Sequence, residues 1–199
     1  SNIDFSINIE RDLAFADEAD LVVVAPIPRA SWGRVDERVL DVGRRSVDRG
    51  AWVLTVCSGS FVVAAAGVLS GRRATTHWRY ADTMTAMYPG IEVDPHVLYV
   101  QDGRIITSAG TAAGIDACLH LLRIEIGAEL TNKIARRMVV PPQRDGGQAQ
   151  FIDKPLPVST SLSLAPVTDW VLQNLRLDLS VDQLAARAHM SPRTFARRF

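Results

Sequence analysis

The spacing of hydrophobic residues changes several times along the first 140 positions of the chain. Residues 21–25 form a continuous apolar run closed by Pro26, and residues 51–56 form a second, which is typical of buried parallel strands. Between them, residues 34–49 place apolar side chains at nearly helical spacing and end at Gly50, a helix C-cap. This alternation predicts a parallel α/β sheet with crossover helices.

The same pattern continues toward residue 140. Asp102-Gly103 separates two short apolar runs and predicts a tight hairpin. The further elements predicted are strands at residues 73–76, 97–101 and 104–108 and helices at residues 61–66, 80–88, 111–126 and 130–140. The helix at 111–126 is almost entirely apolar, so we expect it to pack deeply on the sheet.

The pattern breaks at Pro141. Residues 141–166 hold five prolines and Gly146-Gly147, so we expect a linker at 141–165 that contains the domain boundary. After a possible helix at 165–177, residues 180–188 predict a helix capped by Ser180. Ser191-Pro192 then begins another helix after a tight turn, the spacing typical of a helix-turn-helix.

The second helix of such a pair enters the major groove of DNA. Arg193, Thr194, Arg197 and Arg198 lie on or near its outer face, where they could contact phosphates or base edges. The alternative from the pattern alone is an amphipathic helix pair that packs against the first domain.

Composition narrows the class of protein. With 199 residues and 47% hydrophobic side chains, the chain can bury a full core and is not expected to be disordered. No apolar run approaches the ~20 residues of a membrane span and no leader opens the chain, so we expect a cytoplasmic protein without a membrane partner. Two cysteines make neither a disulfide framework nor a structural zinc site, and we expect no cofactor.

The neutral net charge conceals an asymmetry. Residues 1–165 carry 17 basic and 19 acidic side chains, a net of −2, whereas residues 166–199 carry five basic and three acidic ones, a net of +2. The positive C-terminal end is consistent with a nucleic-acid-binding module.

The turn with the clearest chemical potential follows the second strand. Cys57-Ser58-Gly59 joins that strand to a helix of small residues, the arrangement of a nucleophile elbow, although Thr55 stands where the fuller motif has Gly. We expect strained backbone at Cys57, a thiolate favoured by the helix start, and an N–H of Ser58 near any oxyanion. The alternative is a small buried hydrophobe, which is also the expectation for Cys118.

Three stretches, residues 57–78, 106–116 and 140–152, resemble the PfpI-like branch of the class I glutamine amidotransferase-like superfamily. More narrowly, they are similar to the sensor domain of GlxA-type AraC/XylS transcriptional regulators. Residues 179–199 resemble the first helix-turn-helix of the AraC/XylS DNA-binding domain, which has two such units. The resemblance implies a flavodoxin-like parallel-sheet sandwich at 1–140 that lacks its N-terminal unit, and the start of a DNA-binding domain at 166–199.

The resemblance also places a histidine beside the elbow. His77 would face Cys57 as a thiolate–imidazole pair; alternatively, it hydrogen-bonds the backbone at a strand end. A ligand would then bind near Cys57, Ser58, His77, Gly110 and Thr111.

Two absences weigh against catalysis. Peptidase-like relatives carry a histidine directly after the cysteine, where this chain has Ser58. A third, acidic member is not identifiable: Glu18 and Asp116 have no support from spacing, and His96 and His120 have no partner motif.

We therefore expect a transcriptional regulator rather than an enzyme. Its partners would be promoter DNA, a small-molecule effector and a second copy of the chain, since family members commonly dimerise. Because the DNA-binding domain is expected to be incomplete, the chain itself should bind DNA weakly. The alternative function is a thiol-dependent amidohydrolase or related cysteine enzyme, in which Cys57 and His77 would be catalytic.

Overall fold

A computed structural model of the chain describes residue 8, residues 10–150 and, toward the C-terminus, residues 164, 167, 170–171, 173–177 and 179–198. The chain divides into two compact units, at residues 1–152 and 153–199. Among the described residues, no helix is both long and apolar enough to cross a bilayer.

The first unit is an α/β structure with two sheets. Its strands are β1 (Leu21–Val24), β2 (Trp52–Val56), β3 (Arg73–Ala74), β4 (Glu92–Val93), β5 (Tyr99–Asp102) and β6 (Ile105–Ser108). Its helices are α1 (Glu37–Asp48), α2 (Ser60–Ala65), α3 (Trp78–Met87), α4 (Thr111–Ile126) and α5 (Ala128–Arg137), with 3-10 turns at Leu13–Glu18, Arg29–Ser31 and Cys57–Gly59.

The main sheet has the strand order β1-β2-β6-β5. β1, β2 and β6 run parallel, and β5 pairs antiparallel with β6 through the predicted hairpin. The parallel sheet and crossover helices predicted from the sequence are confirmed. Val56 lies opposite Ser108, so β2 and β6 end side by side at one edge of the sheet.

Both faces of β2 are buried, which explains why its sequence is a continuous apolar run. On one face, Val53 packs with Phe61 of α2 and Met84 of α3. On the other face, Trp52 and Leu54 pack against α4, in a cluster completed by Ile106, Ala117 and Leu121.

The starts of α1 and α3 differ from the predicted boundaries, and in each case a side chain caps the helix. α1 begins at Glu37 rather than near Arg34 because Asp36 accepts a hydrogen bond from the backbone N–H of Arg38. α3 begins two residues before the predicted position because His77 is its N-cap. The bounds of α4 agree with the prediction.

The segment that follows α5 differs from the linker predicted to begin at Pro141. Leu98 donates a backbone hydrogen bond to Gly146, and Val97 forms an antiparallel bridge with Ala149. The prolines and paired glycines suggested a free connection, but residues 144–150 pack on the α/β unit, and the division between units falls after residue 152.

The second unit contains two short helices, α6 (Val181–Arg187) and α7 (Pro192–Arg198). Ser180 caps α6 as predicted, and His189 lies in the connecting turn with a φ of 54°. The buried side chains Leu184, Ala185 and Phe195 hold the two helices together with Val167. Within the predicted helix at 165–177, residues 167, 170–171 and 173 are helical and residues 174–177 are not; the other five residues lie outside the described part of the chain.

Candidate functional site

The turn after β2 has the strained geometry expected of an elbow. Cys57 adopts a φ of 53°, in the left-handed region that non-glycine residues rarely occupy. Gly59 explains how the turn fits against the end of β1: a Cβ there would lie 2.3 Å from the carbonyl oxygen of Val24 and 2.9 Å from that of Ala25. Only glycine allows this approach.

The Cys57 thiol is not activated in the way the sequence suggested. The side chain is half-buried, and burial raises the pKa of the thiol, while hydrogen bonding by Ser58 offsets only part of the rise. A thiolate was expected from the helix start, but α2 spans only Ser60–Ala65, and burial disfavours the charged form of the thiol. The thiol is therefore protonated at neutral pH.

Ser58 has a structural hydrogen-bonding role. Its buried hydroxyl donates to the carbonyl oxygen of Ile27 at 2.8 Å and accepts from the Ile27 N–H at 3.1 Å. As a donor and as an acceptor, the hydroxyl therefore holds the loop after β1 against the elbow.

His77 lies at the same edge of the sheet but serves first as a cap. Its Nδ1 accepts the backbone N–H of Arg79 at 3.2 Å, so the neutral ring carries its proton on Nε2. Burial, aided by the nearby Arg79 guanidinium, lowers the pKa of His77. No hydrogen bond joins this ring to the thiol of Cys57 in the described part of the chain; instead, the Thr76 hydroxyl donates to the Cys57 carbonyl oxygen at 3.0 Å.

A cavity of about 220 Å³ opens beside His77. Its lining comes from the starts of α3 and α4, from the residue before β5 and from the two ends of the segment 144–150, namely His77, Trp78, Leu98, Ala109, Gly110, Thr111, Ala112, Ala113, Arg144 and Gln150. The structure thus brings together His77, Gly110 and Thr111 of the predicted ligand residues. Cys57 and Ser58 are not part of the lining.

Two lining residues, Arg144 and Gln150, were missed by sequence reasoning. Both lie in the segment assigned to a linker, where neither periodicity nor a motif marked them. The only signal was the similarity of residues 140–152 to the regulator family, which did not single out either side chain.

Other depressions are larger, and one of them is lined mainly by charged residues. One of about 650 Å³ lies near Arg11 and Arg38, and one of about 550 Å³ runs along β1 and α1 with mainly apolar lining. We place the candidate site at the smaller cavity because polar side chains meet there at the carboxyl ends of parallel strands.

Neither acidic candidate completes a catalytic triad. Asp116 is buried and accepts a hydrogen bond from Arg144 at 3.1 Å; burial raises its pKa, and the guanidinium offsets part of that rise. Glu18 is exposed at the end of a 3-10 turn. The ring of His77 is therefore oriented by a backbone N–H rather than by a carboxylate.

The predicted DNA-facing residues all fall on α7. Arg193 is exposed, and Thr194 is partly buried. The hydroxyl of Thr194 accepts from that of Ser191 at 2.9 Å, at the helix start. The backbone of Arg197 and Arg198 belongs to α7, but their side chains lie outside the described residues.

A parallel sheet, a strained cysteine elbow and a neighbouring cavity define an α/β protein of the flavodoxin-like class. Residues 4–124 match the model of the DJ-1/PfpI family, and the chain belongs to this family.

Three curated relatives show the range of proteins that share this domain. The chain is 37% identical to isonitrile hydratase of Pseudomonas putida, over 54% of this chain and 46% of that protein. It is 32% identical to the HTH-type transcriptional regulator ArgR of Pseudomonas aeruginosa, over 75% of this chain and 46% of the regulator. It is 30% identical to the HTH-type transcriptional regulator GlxA of Rhizobium meliloti, over 46% of this chain and 28% of that regulator. The chain thus spans less than half the length of each of these relatives.

Solved structures agree on the fold. DJ-1beta of Drosophila melanogaster superposes with a TM-score of 0.60 at 23% identity, covering 69% of this chain and 74% of that one. An AraC family transcriptional regulator from Pseudomonas putida gives a TM-score of 0.57 at 18% identity, and the match covers 67% of this chain and 70% of that one.

Gly59→Ala should destabilise the protein by about 1–3 kcal/mol, because the new methyl group would overlap the carbonyl oxygens at the end of β1. Gly90→Ala is the matched control, since no atom lies within 4 Å of a Cβ at that position. Urea unfolding of the two variants checks the prediction. Equal stability would show that the elbow does not require glycine.

Proposed function

We propose that the chain is part of a DNA-binding transcriptional regulator whose α/β unit senses a small molecule. In this proposal the effector occupies the cavity lined by His77, Gly110 and Thr111, close to Cys57 and Ser58. Residues 166–199 supply the start of the DNA-binding domain, and residues 151–165 connect it to the sensor. The similarity to regulators named HTH-type supports this organisation.

One observation carries the proposal: a formed cavity lies beside an elbow whose cysteine is not activated. The pKa of Cys57 is raised, and its thiol has no hydrogen bond to His77. A nucleophile needs a thiolate or an adjacent base. A ligand site needs neither, only a preformed cavity with a few polar groups that fix orientation.

The C-terminal helix pair supports the second half of the proposal. α6 and α7 pack through Leu184 and Phe195 and are joined by a tight turn at His189, as in a helix-turn-helix. Arg193 lies exposed on the second helix, where a major-groove reader presents its side chains. A homodimer would suit paired half-sites on DNA.

A metabolite screen by thermal shift tests the sensing function. A true effector at a hundredfold excess over its Kd should stabilise the chain by about 2.7 kcal/mol, which raises the unfolding midpoint by roughly 5–10 °C. His77→Ala should remove most of that shift because His77 lines the cavity, whereas His96→Ala, with an exposed side chain, should keep it. An equal shift in both variants would place the ligand elsewhere.

Fluorescence anisotropy with duplex DNA at low salt tests the DNA-binding function. We expect weak binding that falls with added salt, and Arg193→Ala should weaken it further and reduce the log–log salt slope by about 1. Arg136→Ala removes an exposed charge from α5 of the other unit and serves as the control. If the two substitutions act alike, α7 is not the contact surface.

A thiol-dependent enzyme is the second candidate. It is favoured by the φ of 53° at Cys57, since backbone strain is often stored at active sites. The similarity to isonitrile hydratase points the same way. In that case Cys57 would be the nucleophile and His77 its partner, as in an amidohydrolase or a related cysteine enzyme.

The pH dependence of alkylation by iodoacetamide separates the two candidates. Because burial raises the pKa of Cys57, its carbamidomethylation should accelerate only above the ordinary thiol range of about 8.5. Peptide mass spectrometry distinguishes Cys57 from Cys118, and Cys57→Ser gives the background. An inflection below neutral pH would instead identify a reactive thiolate and favour the enzyme.

A further inference from the structure

We propose that residues 144–150 form a strap that opens and closes the cavity, and that occupancy of the cavity controls how much chain connects the two units. The coupling rests on the proposed sensing function. The strap is the last described segment of the α/β unit before the chain continues to the C-terminal helices.

The middle of the strap is held by backbone contacts with the β5 side of the sheet. Leu98 donates its N–H to the carbonyl oxygen of Gly146 at 2.7 Å, and Val97 and Ala149 form an antiparallel bridge. Gly146 allows the close fit, since a Cβ there would lie 2.7 Å from the Tyr99 ring. The strap is thus fitted to one docked position.

Gln150 fastens the end of the strap next to the candidate site. Its buried amide donates to the carbonyl oxygens of Val97 at 2.9 Å and Thr76 at 3.1 Å, and its Oε1 accepts the N–H of Trp78 at 2.8 Å. Thr76 and Trp78 flank His77 in the sequence, so the side chain that holds the strap also positions the start of α3. A fully bonded buried amide is a specific fastening, because each undone bond leaves a polar group without a partner.

Arg144 fastens the other end. Its guanidinium contacts the buried carboxylate of Asp116 on α4, and its carbonyl oxygen accepts the Tyr99 hydroxyl at 3.1 Å. Arg144 and Gln150 both line the cavity. The two fastening points of the strap are therefore also two walls of the site.

Because Arg144 and Gln150 belong both to the strap and to the cavity wall, a molecule bound in the cavity changes the balance between the docked and the released strap. When the strap leaves, the cavity loses Arg144 and Gln150, so a molecule held against them binds only the docked state. By linkage, such a molecule shifts the population toward docking. Release would add the seven residues of the strap to the connection, roughly 24 Å at ~3.4 Å per residue.

Hydrogen exchange of the full 199-residue chain, measured by mass spectrometry, tests whether the strap opens in the absence of a ligand. Amides of the strap should exchange about tenfold or more faster than those of β2 and β6, because the strap opens without global unfolding. Gln150→Ala should accelerate strap exchange by about a further tenfold and leave β2 and β6 unchanged.

Gln148→Ala is the matched control, since this strap glutamine is exposed. Gln150→Glu keeps the size and the acceptor of the side chain but loses the donors, and it serves if the alanine variant does not fold. Exchange of the strap in step with β2 and β6 would overturn the proposal. So would equal effects of the substitutions at positions 148 and 150.

The compounds that stabilise the wild-type chain in the thermal-shift screen test the coupling. They should slow strap exchange and bind Gln150→Ala about tenfold or more weakly than Gln148→Ala. Equal affinities would overturn the coupling even if a ligand binds. A screen without a binder counts against the proposed function and the coupling, whereas independent opening of the strap is decided by exchange alone.

Discussion

The parallel pairing of β2 with β6 is the constraint on which the site depends. Its register sets Val56 beside Ser108, so the chain leaves both strands at the same edge. The Ser108 hydroxyl donates to the Thr55 carbonyl oxygen, and a Cβ at Gly114 would lie 3.0 Å from both methyl groups of Val56. α4 therefore begins close against the end of β2, and the cysteine elbow and the cavity become neighbours.

At this edge the protein combines a strained backbone with a thiol whose pKa is raised. The left-handed φ of Cys57 is maintained by the close approach of Gly59 to β1 and by the two hydrogen bonds of Ser58 to Ile27. Burial disfavours the thiolate and raises the pKa of the thiol, and hydrogen bonding by Ser58 offsets only part of that rise. The strained geometry of the elbow therefore does not by itself lower the pKa of the thiol.

The polar groups of the cavity come from segments far apart in sequence. His77 is set by its capping role at α3, and Arg144 and Gln150 arrive from a strap that returns to the sheet after α5. Gln150 contacts both the strand region and the start of α3, so one side chain belongs both to the cavity wall and to the segment that leads toward the second unit.

The sequence by itself determined the α/β class, the order of the helices and of every strand except the two-residue β4, the elbow at Cys57 and the helix pair near the C-terminus. These features follow from hydrophobic periodicity, helix caps and turn residues, all of which are set by residues that are neighbours in the sequence. Only the tertiary structure decided that Ser58 is hydrogen-bonded to Ile27, that the Cys57 pKa is raised, and that residues 144–150 pack on the α/β unit, with Arg144 and Gln150 lining the cavity. Burial and long-range hydrogen bonds depend on which segments meet in space, and a local pattern such as the prolines and paired glycines after Pro141 cannot specify that.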